Sequence, residues 1–182
     1  IRRQRQMCKE TDLTIFWGCG TNLHRSPYNA RNHEYYSEDA VLTSGQAVAF
    51  ISGGKEHGVI IAPKHLAFND TEINRTGVSV FMTEQQAREN ELRGTQAAIE
   101  DAGALGVMTA FNRVGITAAN AHTGLLKNIL RGEWGFKGLE SQDFIMNPNY
   151  AVLKEYALNG GTMTTFTGEN TMAAVSEKFA YW

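Results

Sequence analysis

Short apolar segments alternate with longer amphipathic segments along the chain. The apolar segments are rich in β-branched or small residues, which is typical of strands covered on both faces. Because a helical pattern follows each of them, the order predicts a parallel sheet with right-handed crossovers. We predict strands over residues 13–17, 59–63, 106–110, 138–143 and 161–166.

The amphipathic segments carry the start signals of helices. Residues 37–39 are Ser-Glu-Asp, and Thr83 opens a capping-box pattern. We predict helices over residues 37–56 and 83–102, from Asn120 or Thr123 to about 132, and from Asn170 to 182. Five βα units fit either a doubly wound sheet or part of a (β/α)8 barrel, and periodicity does not choose between the two.

Composition narrows the classes of function. The chain has 182 residues, 42% apolar and 20% charged, with a formal net charge of −2. This balance is typical of a globular domain and gives no reason to expect nucleic acid. No apolar run reaches the roughly 20 residues that span a bilayer, and no signal-peptide pattern is visible. Without an initiator Met, the chain reads as a piece of a longer protein whose compartment stays unknown.

No cofactor or metal is predicted. Cys8 and Cys19 lack the spacing of a metal site or disulfide framework, so we expect free thiols. The segment from Trp17 to Asn22 has only the first half of a dinucleotide-binding glycine motif, and a Walker loop is absent.

Polar side chains lie where two predicted strands end. Lys64 and His65 follow one apolar run, and Asp143 ends another. In a parallel barrel all strands open onto one face at their carboxyl ends, so these groups could converge on one small ligand. Taken alone, Asp143 also fits a helix N-cap. Residues 22–39, rich in hydrogen-bonding and aromatic groups, suit a polyhydroxylated ligand or a solvated loop tied down by Arg–Glu pairs.

The ordered set of motifs is more specific than any one of them. Together these motifs closely resemble glycoside hydrolase family 3, in its β-glucosidase-like branch, over residues 14–168. They comprise Trp17-Gly18-x-Gly20-x-Asn22-x-His24-Arg25, Arg31-Asn32-x-Glu34-Tyr35-Tyr36-Ser37-Glu38-Asp39, Lys64-His65, Asn69-Asp70, Asn74-Arg75, Met108-Thr109-x-Phe111-Asn112, residues 130–138 and Asp143-Phe144.

The resemblance implies part of a (β/α)8 barrel and a carbohydrate substrate. It implies a retaining β-glycosidase that removes non-reducing terminal β-linked sugars through a covalent intermediate on Asp143. Phe111 stands where the family often has Tyr, which removes a possible hydrogen bond to the nucleophile. By the same resemblance Arg31, Lys64 and His65 hold sugar hydroxyls, and Arg75 lies near the nucleophile.

The resemblance also implies what residues 1–182 lack. We expect a partial barrel domain without its first strands and without the C-terminal α/β sandwich domain that supplies the acid/base Glu. The rest of the chain, or a partner subunit, is therefore expected. Glu133, Glu140 and Glu169 are weaker candidates for the acid, each better explained by structure or solvent. The alternative is a catalytically inactive sugar-binding or structural barrel module.

Certain residues depart from the family pattern. Cys19 stands in place of the usual Pro, Gln142 replaces Ser or Thr before the nucleophile, and Glu140 and Ser141 make its strand unusually polar. These changes predict a divergent subgroup. The N-acetylglucosaminidase branch is disfavoured, because the stretch after Lys64-His65 lacks its Gly-His-Gly sequence.

Overall fold

A parallel sheet forms the centre of the structure. The computed structural model describes residues 14–144 and 153–165. Four of its strands pair in parallel in the order β1-β2-β4-β7, and the others form a small sheet in the order β3-β5-β6. The strands are β1 (Ile15–Gly20), β2 (Ile60–Leu66), β3 (Ser79–Val80), β4 (Gly106–Thr109), β5 (Arg113–Val114), β6 (Thr117–Ala118) and β7 (Leu139–Gln142).

Two of the predicted capping signals begin helices. Asp39 accepts a hydrogen bond from the Leu42 amide at 2.6 Å, and Thr83 accepts one from the Gln86 amide at 3.2 Å. The α-helices are α1 (Ala40–Lys55), α2 (Glu84–Gln86), α3 (Arg93–Glu100) and α4 (Leu153–Leu158). Ala87–Glu91 and Gly124–Glu133 are π-helical, and Ala119–Ala121 is a 3₁₀ turn.

Helices cover the outer face of the central sheet. α1 packs against both α3 and β2, and a Cβ added at Gly54 would lie only 2.5 Å from the Ile61 side chain. Ile51, Val107 and Leu130 are almost fully buried between the layers. Each such side chain contributes roughly 1.5–3 kcal/mol through removal from water. This apolar layer therefore holds the helices against the sheet.

The strand order settles the choice between the two α/β architectures. The central strands follow one another across the sheet in chain order, all parallel. A doubly wound sheet reverses its order at a switch point, and no reversal occurs among the described strands. The fold is therefore part of a (β/α)8-type barrel, as the resemblance implied.

Several element boundaries differ from prediction. The first strand extends to Gly20 and the second to Leu66, so the glycine motif and Lys64-His65 lie within strands rather than after them. The third helical segment begins at Gly124, after Thr123 and not at Asn120. The predicted strand over 161–166 is represented by one parallel bridge between Met163 and Ser141, and residue 166 lies outside the described residues.

Other predictions concern residues 1–13 and 166–182, which the structure does not describe. The helix from Asn170 and the thiol of Cys8 therefore stay predictions. Cys19 is a free, buried thiol, and burial raises its pKa to about 12. The small sheet and α4 were not predicted, because two-residue strands and a six-residue helix are too short for a periodic signal.

The edges of the central sheet generate a prediction about stability. Apart from single bridges at Gly20 and Ser141, β1 and β7 pair on one side only within the described residues. Open edges expose unpaired N–H and C=O groups. We expect residues 1–182, produced alone, to lack a cooperative thermal transition as a monomer. A monodisperse monomer with a cooperative melt and activity on an aryl β-glucoside would contradict this.

Candidate active site

The carboxyl ends of the strands place the candidate residues on one edge of the sheet. His65 is the penultimate residue of β2. Its amide donates to Asn22 Oδ1 at 2.8 Å, and its carbonyl accepts from Asn22 Nδ2 at 3.1 Å. Asp143 follows β7 directly, and its amide donates to the Thr109 carbonyl at 3.2 Å. Both backbones are therefore fixed by the neighbouring strands.

Asp143, His65 and Arg75 come together although they are distant in sequence. Asp143 Oδ2 lies 3.5 Å from His65 Nε2 and 3.7 Å from Arg75 Nη1. The same Oδ2 atom is buried and has no hydrogen-bond partner within the structure. The site therefore holds an unencumbered carboxylate oxygen beside an imidazole and a guanidinium group.

Arg31 reaches this cluster from the loop after β1. Its guanidinium contacts Glu34, donates to Glu72 Oε2 at 2.9 Å and lies 3.4 Å from His65 Nε2. Glu34 also contacts Lys64 Nζ at 3.3 Å. Two carboxylates thus hold the two cations that were predicted to bind sugar hydroxyls.

Arg75 is held from two sides. Its Nε lies 3.2 Å from Glu72 Oε1, and its guanidinium stacks over the Phe111 ring at 4.5 Å from the centroid. Phe111 therefore supports the cation that faces Asp143, although it has no phenol to contact the carboxylate itself.

Glu34 and Glu72 were missed as functional residues by the sequence prediction. Glu34 follows Arg31 by three positions, and Glu72 precedes Arg75 by three positions. That spacing signals a local ion pair, but it does not show that Glu72 also bridges Arg31 to Arg75 across the site. The bridge depends on how the two loops meet.

Burial and charge act on Asp143 in opposite directions. Burial is the largest effect and raises the pKa of its carboxyl above the ordinary value. The Phe144 amide, which donates to Oδ1 at 2.8 Å, and the cations Arg75, Arg31 and Lys64 lower it. The carboxylate therefore depends on these cations to stay ionised.

At His65, burial and the neighbouring charges act in the same direction. Burial, followed by the charges of Arg31, Lys64 and Arg75, lowers its pKa well below the usual range. The imidazole is therefore neutral at physiological pH.

A second ion cluster joins the loop after β1 to the segment after β2 and to the π-helix Ala87–Glu91. Arg25 Nε lies 2.6 Å from Asp70 Oδ2 and 3.4 Å from Glu91 Oε1. Burial raises the pKa of Glu91 to about 7. Arg–carboxylate pairs therefore tie residues 22–39 down, as one of the two interpretations predicted. The other, that the loop suits a polyhydroxylated ligand, stays a prediction.

Comparison with known proteins identifies the family of the chain. The profile of the glycosyl hydrolase family 3 N-terminal domain matches residues 2–160. The chain belongs to glycosyl hydrolase family 3. A family-3 relative, the probable beta-glucosidase J of Emericella nidulans, is 38% identical over 137 residues, which cover 75% of this chain and 16% of that protein. Beta-glucosidase B of the same organism is 37% identical over 158 residues, which cover 87% and 18%.

Solved family-3 structures share the fold. Beta-glucosidase 3B of Thermotoga neapolitana, in complex with glucose, superposes with a TM-score of 0.84 at 29% identity, covering 96% of this chain and 25% of that one. The beta-glucosidase of Kluyveromyces marxianus in complex with glucose gives 0.85 at 26% identity, covering 95% and 21%. The chain thus spans a quarter or less of the proteins that it matches.

Residues 14–144 and 153–165 lack two further features. No helix in these ranges is long and apolar enough to cross a bilayer. They contain no group of three or more His, Cys, Asp or Glu side chains arranged to hold a metal ion.

Two of the weaker acid candidates lie in structural positions. Glu133 is on the surface and accepts two hydrogen bonds from Arg88, at 2.6 and 3.0 Å. Glu140 is 1% exposed, and neither carboxyl oxygen makes a hydrogen bond of good geometry. The hydroxyls of Tyr156 and Thr109 and the charge of Arg131 lower its pKa less than burial raises it. Its side chain leaves β7 on the face opposite to that of Asp143, because side chains alternate along a strand. Glu169 lies outside the described residues.

Glu140 makes stability depend on pH. Burial raises its pKa from the ordinary 4.5 to about 8. Below pH 4.5 both folded and unfolded states carry the proton. Between pH 4.5 and about 8 mainly the unfolded state releases it, so stability falls as pH rises through this window.

We therefore predict that Glu140→Gln removes this loss. In the full-length protein we compare the free energy of unfolding of the variant with that of wild type. The difference should favour the variant more at pH 8 than at pH 4.5, by on the order of a few kcal/mol. Differential scanning calorimetry at both pH values tests it, with the exposed Glu133→Gln as a control expected to show little change. Equal effects of Glu140→Gln at both pH values would contradict it.

Proposed function

We propose that the full-length protein is a retaining β-glycosidase that releases non-reducing terminal β-linked sugars, with β-glucosides as the first substrate class. The observation that carries the proposal is the buried Oδ2 of Asp143, which has no hydrogen-bond partner and faces His65 and Arg75 at 3.5 and 3.7 Å. Residues 1–182 form part of the barrel domain that holds this nucleophile.

The arrangement suits displacement at an anomeric carbon. Asp143 Oδ2 attacks that carbon as the bond to the aglycone oxygen breaks, and a second carboxyl group, roughly 5–5.5 Å away, protonates the leaving oxygen. A water molecule, deprotonated by the same group, then attacks the glycosyl ester and restores Asp143. The family resemblance assigns the second carboxyl to the α/β sandwich domain.

The cations around Asp143 suit recognition of a sugar. Arg31 and Lys64 offer charged donors, and His65 offers a ring nitrogen beside the nucleophile. Such groups bind neighbouring hydroxyls with several hydrogen bonds each. The names of the beta-glucosidase relatives support a β-glucoside, although a xyloside presents two of the same hydroxyls.

The first test replaces the nucleophile. We expect Asp143→Ala in the full-length protein to lower kcat on an aryl β-glucoside by about three orders of magnitude or more, because no ester can form. Glu133→Gln, which changes a surface carboxyl, should keep near wild-type turnover. Activity of Asp143→Ala within about tenfold of wild type would exclude Asp143 as the nucleophile.

The second test traps the intermediate. A 2-fluoro-β-glucoside with a good leaving group should glycosylate the wild-type protein on the peptide that contains Asp143, because the carboxylate displaces the leaving group from the anomeric carbon. Mass spectrometry of the digested protein reads the label. The departures Gln142 and Phe111 are the observations that favour an inactive sugar-binding module instead. Calorimetric binding of a glycosyl-imidazole-type inhibitor by a wild-type protein that shows neither labelling nor turnover would support that module.

A further inference from the structure

A buried tyrosine adjoins the imidazole at the proposed nucleophile. Tyr35, 5% exposed, places its hydroxyl 2.5 Å from the Asn69 carbonyl oxygen and 3.4 Å from His65 Nδ1. The Tyr35 and His65 rings are nearly perpendicular, at 81°. The Nδ1 atom of the imidazole is thus the ring nitrogen that adjoins the phenol.

The contacts determine where the phenolic proton lies. A carbonyl oxygen only accepts, so the 2.5 Å contact with Asn69 requires Tyr35 to donate its single proton there. The same hydroxyl oxygen is then an acceptor toward His65 Nδ1. A hydrogen bond between the two rings therefore requires the proton on Nδ1.

The other imidazole nitrogen leads to the same conclusion. His65 Nε2 lies 3.4 Å from Arg31 Nη2, and a guanidinium nitrogen only donates. A neutral imidazole carries one proton, so Nε2 accepts while Nδ1 donates. Asp143 Oδ2, 3.5 Å from Nε2, then receives no hydrogen from His65, which agrees with its lack of a hydrogen-bond partner.

We propose that Tyr35 is a positioning residue that holds His65 in its Nδ1–H tautomer and so keeps the nucleophilic oxygen of Asp143 free of a donor from the protein. In this tautomer His65 Nε2 accepts from Arg31 and holds no proton that could reach Asp143. This inference rests on the proposed function, because it assigns the tautomer a role in the reactivity of Asp143.

Several charged or titratable groups face His65 and Asp143 and influence the ionisation of both. The cations favour an ionised Asp143 and a neutral His65, whereas the two glutamates hold the cations in place. These groups are Arg31, Lys64, Arg75, Glu34, Glu72 and Tyr35 itself.

The test is Tyr35→Phe in the full-length protein. Without the phenolic oxygen, Nδ1 loses its acceptor, and the proton moves to Nε2. Nε2–H then donates to the ionised Asp143 and no longer accepts from Arg31. A donor lowers the pKa of a carboxyl. We expect the acid limb of kcat/KM to move to lower pH by about one unit, and kcat to fall by about tenfold. An acid limb that stays in place or moves to higher pH would overturn the proposal.

Two further variants separate positioning from packing. Tyr36→Phe, a matched change at the neighbouring tyrosine, which is hydrogen-bonded to Cys19, should leave the acid limb where it is. If Tyr35 acts through His65, adding Tyr35→Phe to a His65→Gln background should not move the acid limb further. An equal shift in that background would contradict the role assigned to His65.

A direct measurement covers the case in which Tyr35→Phe does not fold. Neutron diffraction from the wild-type protein should show deuterium on His65 Nδ1, and deuterium on Nε2 alone would overturn the proposal. This readout requires no turnover. It is therefore independent of the Asp143→Ala experiment. If Asp143→Ala kept its activity, the proposed function would be refuted, and the neutron data would still determine the tautomer of His65.

Discussion

The site depends on keeping one carboxylate ionised in a place from which water is largely removed. Burial raises the pKa of Asp143, whereas Arg75, Arg31 and Lys64 lower it. An uncompensated buried charge costs several kcal/mol, so the ionised form of Asp143 requires these cations within a few ångströms. Arginine fits this use because it stays charged when it is partly buried.

The cations in turn need fixed positions, which acidic residues and one aromatic ring provide. Glu72 links Arg31 to Arg75, and Glu34 links Arg31 to Lys64. The Phe111 ring supports Arg75. Because each cation has partners other than Asp143, none has to neutralise its carboxylate by a direct short hydrogen bond. Asp143 Oδ2 stays without a hydrogen-bond partner while cations surround it.

The residues that depart from the family pattern have structural partners or consequences here. Gln142, directly before the nucleophile, accepts a hydrogen bond from Asn120 at 2.8 Å through its side-chain oxygen. Cys19 is a buried thiol that contacts Tyr36. Glu140 differs, because burial raises the pKa of its carboxyl more than its neighbours Tyr156, Arg131 and Thr109 lower it, and it makes stability sensitive to pH. Phe111 is the departure that lies at the site itself, where its ring supports Arg75.

The sequence by itself determined the alternation of strands and helices, the helix starts at Asp39 and Thr83, and the family. These follow from local signals, such as apolar periodicity, capping side chains and ordered motifs. It also placed Lys64, His65 and Asp143 at strand ends, because an apolar run that stops at a polar residue marks the edge of a buried sheet.

Only the tertiary structure decided the strand order, the Glu72 bridge and the contact between Tyr35 and His65. Each joins segments separated by long stretches of chain, and their meeting depends on how the helices pack each strand against its neighbours. The proton position on His65 requires the directions of Tyr35, Asn69 and Arg31 at once. Hydrogen bonding depends on distance and direction in space, which no pattern along a single chain specifies.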